Sequence, residues 1–268
     1  MSHKILSLFS FVLLLTTSCQ ETNENTIEFD VVSVDKTITL TQEELSPRCN
    51  VSLKMAYATE ANGPRAEIIN NILESTLLNT RDVSMRKAIT EFAEKYTNDY
   101  YHNILPIYNE DRNDTTKLAW FQFHYIISSE THPGKQGIMV YLATVDYYEG
   151  DEYGVNQLLT FNFSVKTGQQ IKLENVFISG YEKKLNQVLL NALKAKVGVN
   201  TLGELKEKGY LTTVEMFPTE NFTLEEETIT FIYNPSEIAP RDMGSIELII
   251  PYSDLGNIVK NSFEPQEP

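Results

Sequence analysis

Leu118-Ala119-Trp120-Phe121-Gln122-Phe123-His124-Tyr125-Ile126-Ile127 sets Phe121, Phe123, Tyr125 and Ile127 on one face and Trp120, Gln122 and His124 on the other. A period of two is that of a half-buried strand. Two similar runs follow: Ile138 to Tyr147, after His132-Pro133-Gly134, and Leu158 to Val165, after an acidic stretch. Short connections of this kind predict an antiparallel meander. Upstream, Glu28 to Leu40 is rich in Val, Ile and Thr, and Val51, Leu53, Met55 and Tyr57 alternate with polar neighbours. Between these strands and the meander the period changes to that of a helix. Ala66, Ile69, Leu73 and Leu77 form one stripe; Met85, Ile89, Phe92, Tyr96 and Tyr100 form a second, ended near Pro106. A further helix has Leu185, Val188, Leu189, Ala192 and Leu193 on its apolar face, and a last hairpin pairs Thr228–Tyr233 with Ser245–Ile250.

The pattern predicts an α+β fold, an antiparallel sheet with helices packed on one face. Two similar-sized halves are expected, 27–135 and 136–260. The stripes at Met85–Tyr100 and Leu185–Leu193 are expected on one face of a single antiparallel sheet built from 118–127, 138–147, 158–165, 228–233 and 245–250.

The N-terminus tells where the chain is sent. Lys4 precedes an apolar run from Ile5 to Leu15, and Thr16-Thr17-Ser18 leads into Cys19. A run this short suits the apolar region of a secretory signal; a membrane span needs about 20 residues. A cysteine directly after small residues resembles a bacterial lipobox. Residues 1–18 then read as a lipoprotein signal peptide, Cys19 as the lipid attachment site, and the polar stretch 19–26 as a disordered tether. The expected location is the bacterial cell envelope at the outer membrane, on its periplasmic or surface face, with the lipid anchor as the sole membrane contact.

Charge narrows the partners. The chain has 22 Lys and Arg against 37 Asp and Glu, a net charge of −15. Residues 1–18 hold one Lys and no acid, so the chain from Cys19 onward carries −16. That argues against nucleic acid and suits a cationic partner. If Cys19 bears lipid, Cys49 is left without a disulfide partner and reads as a small buried hydrophobe. No metal ligand set, cofactor loop or nucleophile elbow is legible: the histidines after the signal are His102, His124 and His132, with no His-x-x-x-His or Cys-x-x-Cys spacing. The expectation is therefore no cofactor and no metal.

Asp146-Tyr147-Tyr148-Glu149-Gly150-Asp151-Glu152-Tyr153 concentrates acids and tyrosines between two strands. Tyrosine offers contact area at low entropic cost and carboxylates steer a cation. Asp146, Tyr147, Tyr148, Glu149, Asp151, Glu152 and Tyr153 are thus candidate partner-binding residues, with a solvated hairpin tip as the plainer reading. In Tyr233-Asn234-Pro235-Ser236-Glu237-Ile238-Ala239-Pro240 the two prolines end a strand and restart the chain extended. Glu237 between them is placed to accept backbone N–H bonds. Tyr233, Glu237 and Tyr252 are expected near one another, as a structural crossover or a ligand groove.

Two segments carry a family resemblance. Asn162 to Phe177, with Thr167-Gly168 and Leu173-Glu174-Asn175-Val176-Phe177, is similar to a strand–turn–Leu-x-x-Leu-Phe unit of the RsiV-type extracytoplasmic domain. Tyr233 to Pro240, then Gly244, then Ile250-Pro251-Tyr252-Ser253-Asp254-Leu255, resembles that family's C-terminal signature. Upstream, Met55-Ala56-Tyr57 and Ile69-Asn70-Asn71-Ile72 are similar to the opening of the companion domain, so that the resemblance covers roughly 28–257. It implies a sensor domain of the kind that detects lysozyme in one member type, or the domain that precedes the catalytic module of PdaC-type peptidoglycan deacetylases in another. The chain shows neither the transmembrane helix of the first nor the Asp-Asp and His-x-x-x-His signature of the second. Taken together, the expectation is an envelope-anchored, non-catalytic binding or sensor lipoprotein for a cationic lytic protein or a cell-wall (peptidoglycan) component. The alternatives are a glycan-acting hydrolase whose carboxylates sequence does not single out, and a structural lipoprotein.

Overall fold

β1 (Phe29–Thr39) and β2 (Arg48–Ala58) form a long antiparallel pair in the computed structural model, which describes residues 26–150 and 153–265. The chain then leaves the sheet through α1 (Pro64–Leu77) and α2 (Met85–Asp111). It re-enters as β3 (Phe123–Pro133), parallel to β2, with Cys49 opposite Phe123 and Lys54 opposite Ser128. A parallel pair needs a crossover, and α1 with α2 supplies it. β4 (Ile138–Glu149), β5 (Val155–Ser164) and the two-residue β6 (Gln170–Ile171) complete a six-stranded sheet in chain order, each antiparallel to the one before. The expected meander is present from β3 to β5, but the sheet as a whole is mixed.

The rest of the chain builds a second unit. α3 (Leu173–Val176), α4 (Glu182–Val197) and α5 (Leu202–Glu207) lead into β7 (Phe222–Leu224), β8 (Thr228–Tyr233) and β9 (Ile246–Pro251), followed by α6 (Tyr252–Leu255). These three strands form their own antiparallel sheet. The fold is thus α+β, but with two sheets where one was expected, and the helix stripes lie on different sheets. α2 packs on β1 and β2; α4 packs on β9.

Two local readings change with the structure. Residues Thr115–Phe121 form a 3₁₀ helix, so β3 starts only at Phe123. Asp114 sets this turn by accepting from the Thr116 amide (3.1 Å) and hydroxyl (2.6 Å). α2 runs through Pro106 to Asp111 instead of ending there. A helix-interior proline costs about 3 kcal/mol. Burial of Tyr108 against Phe121, ring centroids 5.4 Å apart, offsets that cost, and the proline itself is exposed.

Apolar residues divide into two clusters. One lies between α1, α2 and the six-stranded sheet and runs from Ile27 to Val165; the other joins Ile138 to residues from Ile171 to Ile258. The turn at 135–136 joins β3 to β4, hydrogen-bonded neighbours in one sheet, and the change from one cluster to the other falls between Val165 and Ile171. β5 explains how the units meet. Phe161, Phe163 and Val165 face the first cluster, whereas Thr160, Asn162 and Ser164 are buried on the opposite face. There Asn162 grips the edge of β7: its Nδ2 donates to Phe222 O (2.8 Å) and its Oδ1 accepts from the Leu224 amide (2.9 Å). Thr160 Oγ1 donates to the same Phe222 carbonyl at 2.9 Å. Side chains of one sheet thereby satisfy the backbone edge of the other, where unpaired groups would cost stability. Gly134 permits the closest approach: a Cβ there would lie 2.3 Å from Leu224 O.

Candidate functional site

The acid–tyrosine segment is part strand, part hairpin end. Asp146, Tyr147, Tyr148 and Glu149 are the last four residues of β4. Alternation along the strand therefore splits them between two faces. Tyr147 stacks on Tyr125 (centroids 5.2 Å) and packs against the first core with Phe92 and Tyr96. Glu149 accepts a 2.8 Å hydrogen bond from Tyr96 Oη. Burial, helped by that carboxylate, pushes the Tyr96 phenol well above its ordinary value. On the other face, Asp146 Oδ1 stands 3.5 Å from His124 Nε2, and Tyr148 stacks on the same imidazole at 6.2 Å.

Gly150 turns the chain at φ +81°, and a Cβ there would meet Trp120 O at 2.2 Å. Trp120, the single tryptophan, is 56% exposed, and Tyr153 is 61% exposed with the Arg241 guanidinium 5.6 Å from its ring centroid. Glu149 is exposed, and Asp146 and Tyr148 are half-buried. This end of the six-stranded sheet therefore presents two large aromatic surfaces beside carboxylates. The alternation predicts a strand through Trp120; the residue lies instead in the 3₁₀ turn, which lets it join the hairpin end. Asp151 and Glu152 lie outside the described residues, as do Cys19 and the whole signal segment.

The C-terminal motif separates into two places. Tyr233 is fully buried and donates to Phe217 O at 2.6 Å, so it meets no partner at the surface. Glu237 does hold its turn: Oε2 accepts from the Asn234 amide at 2.8 Å, while the Glu237 amide donates to Asn234 O at 3.1 Å. Pro235 followed by Ser236 at φ +75° is the sequence of a type II turn. Burial raises the Glu237 carboxyl above its usual range, with the Asn234 amide acting against it. Tyr252 is not beside them. In the β8–β9 register Tyr233 faces Ile246 while Thr228 faces Pro251, which puts Tyr252 at the far end of the hairpin, its hydroxyl donating to Glu225 O (3.2 Å).

A buried thiol and a buried carboxyl lie elsewhere. Cys49 is fully buried, and its thiol is pushed up to about 12, by burial first and by Glu149 second, which leaves it a neutral hydrophobe at physiological pH. Glu74 in α1 is also fully buried, with neither carboxylate oxygen in good hydrogen-bond geometry. Burial raises its pKa, the nearby Val83 amide lowers it a little, and Asp82 raises it further. Among the described residues no helix is long and apolar enough to cross a membrane.

The second unit has recognisable relatives. Residues 174–253 match DUF3298, a protein family of unknown function. The DUF3298 match begins in α3 and ends in α6, so it covers the three-stranded sheet and α4 but not the six-stranded sheet. The whole fold is shared more widely. A crystal structure of a DUF3298 family member from Bacteroides fragilis superposes with a TM-score of 0.83 at 27% identity, over 90% of this chain and 96% of that one. A DUF3298 family protein from Pseudomonas aeruginosa has the same fold at a TM-score of 0.62 and 15% identity, over 91% and 99% of the two chains. No curated protein matches the chain.

Proposed function

We propose that this protein is an envelope lipoprotein, acylated at Cys19, whose body binds a cationic envelope-active protein of the lysozyme class. The observation that carries the binding reading is the exposure of Trp120 and Tyr153 around Gly150, next to Glu149. Exposed Trp and Tyr are the residues most enriched in binding hot spots. A chain with 22 basic and 37 acidic residues attracts a cationic protein at long range. The RsiV-type resemblance over 28–257 supports the same class of partner. Asp146, Tyr148 and Glu149 are the steering and rim groups in this reading; Tyr147 and Tyr233 are packing residues.

Surface plasmon resonance of the full-length chain against lysozyme tests the partner. Association should slow as salt rises, because the Debye length falls from about 10 Å at 0.1 M to about 3 Å at 1 M. Trp120→Ala should weaken binding by about tenfold or more, the scale of a hot-spot residue. Absence of binding at low salt would remove the lysozyme class. The anchor is tested separately: Cys19→Ser should abolish incorporation of a fatty-acid analogue and release the chain from membranes, and retained label would refute it.

A further inference from the structure

The strongest unassigned feature lies where the two units join. Two adjoining pockets of about 940 and 370 Å³ share Gln136, Gly137 and Glu264 and so form one continuous groove. Each is of the size of a small-molecule site. The lining inverts the character of the molecule. In a chain of net charge −15, four cations stand along this groove: Arg65, Lys135, Lys166 and Lys260. None of them is in a salt bridge among the described residues. Three hold backbone carbonyls instead: Arg65 that of Val165 (2.6 Å), Lys135 that of Glu226 (3.1 Å) and Lys260 that of Glu174 (2.6 Å). Lys166 is exposed. One carboxylate lines both pockets, Glu264, which accepts from the Ser164 hydroxyl (2.6 Å); Glu226, outside the lining, accepts from the Gln136 amide (3.2 Å).

Aromatic faces line the same groove. Tyr252 and Phe263 form a tilted pair with centroids 6.1 Å apart, and Lys135 Nζ stands 4.6 Å from the Tyr252 centroid. Both rings are half-buried, which leaves part of each to the groove. An aromatic face takes the apolar face of a sugar ring, and fixed cations with spare donors take carboxylates by charge-assisted hydrogen bonds. An open groove of mixed polar and apolar lining with both features fits an extended chain rather than a compact ion.

We infer that this groove binds a saccharide chain bearing carboxylates, with Tyr252 and Phe263 as the stacking floor and Arg65, Lys135, Lys166 and Lys260 as the anion contacts. The site is separate from the hairpin end and stands whether or not a cationic protein binds there. Titration calorimetry on the full-length chain tests it with three probes: tetragalacturonate, a muropeptide and uncharged maltotetraose. At least one carboxylated probe should bind about tenfold or more tighter than maltotetraose, the tenfold being the effect of one charge-assisted contact. Tetragalacturonate alone would point to a uronic polysaccharide, the muropeptide alone to cell wall. Lys166→Glu, on an exposed side chain, should weaken that binding about tenfold without lowering the melting temperature, and Lys166→Arg should restore it. Binding by neither carboxylated probe, equal affinity for maltotetraose, or an unchanged Kd in Lys166→Glu would overturn the assignment.

Discussion

Replacing Asn162 by Leu should loosen the second unit from the first by a calculable amount. The side chain is 1% exposed and makes two hydrogen bonds to β7. Leucine has nearly the same shape and makes neither. The two losses are unequal. Phe222 O keeps its bond from Thr160 Oγ1, so there the change is one neutral hydrogen bond, about 0.5–1.5 kcal/mol. The buried Leu224 amide is left unsatisfied, which costs about 1–3 kcal/mol. The sum is roughly 3 kcal/mol, or a fall in Tm of about 6–12 °C for a body of this size. Urea denaturation measures the energy, and amide hydrogen exchange at Leu224 locates it. The pairing with Thr160 makes a sharper demand. Thr160→Val alone should be mild, but the double variant should cost more than the two singles together, because Phe222 O then loses both donors. A loss under about 0.5 kcal/mol in Asn162→Leu, with Leu224 exchanging as slowly as before, would refute the claim that side chains of β5 hold the β7 edge.

Glu74→Gln tests the buried carboxylate. Its folded pKa is raised, so the folded state binds a proton more tightly than the unfolded one; stability is then greatest in acid and falls as pH rises from the ordinary glutamate range through the raised value. The Gln variant should lack that fall and melt higher than the parent at neutral pH, and an identical pH profile of Tm for the two would contradict it. Gly150→Ala places a methyl group against the Trp120 carbonyl at a positive φ, and should cost about 1–3 kcal/mol while shifting the emission of the single tryptophan. Unchanged emission and Tm would mean that the hairpin end is not held against Trp120.

Local pattern revealed the elements, and long-range pairing stayed hidden. The stripes through Met85 and Leu185 and the alternation at Ile138 and Thr228 correspond to α2, α4, β4 and β8, because each is written in contiguous residues. The parallel pairing of β2 with β3 depends on where a two-helix crossover returns the chain, and no residue of β3 encodes that. The run through Trp120 alternates as a strand would, yet the Asp114 cap turns it into a 3₁₀ helix. For the site, polar Thr160 and Asn162 inside an apolar run were the one legible trace of a second buried face. Tyr233 and Tyr252 look alike in sequence, but strand register buries the first and leaves the second on a groove.

The side-chain seam between β5 and β7 also imposes an order of assembly. The six-stranded sheet closes within residues 29–171, and β7 begins only at Phe222. Thr160 and Asn162 cannot grip an edge that has not formed, and β7, three residues long, pairs with β8 on one side only, which leaves its other side to them. A chain released N-terminus first can thus finish its larger sheet and present a ready row of donors and acceptors before the smaller one exists. The second unit then condenses against a template, and its strands avoid a search for partners among six other unpaired strands.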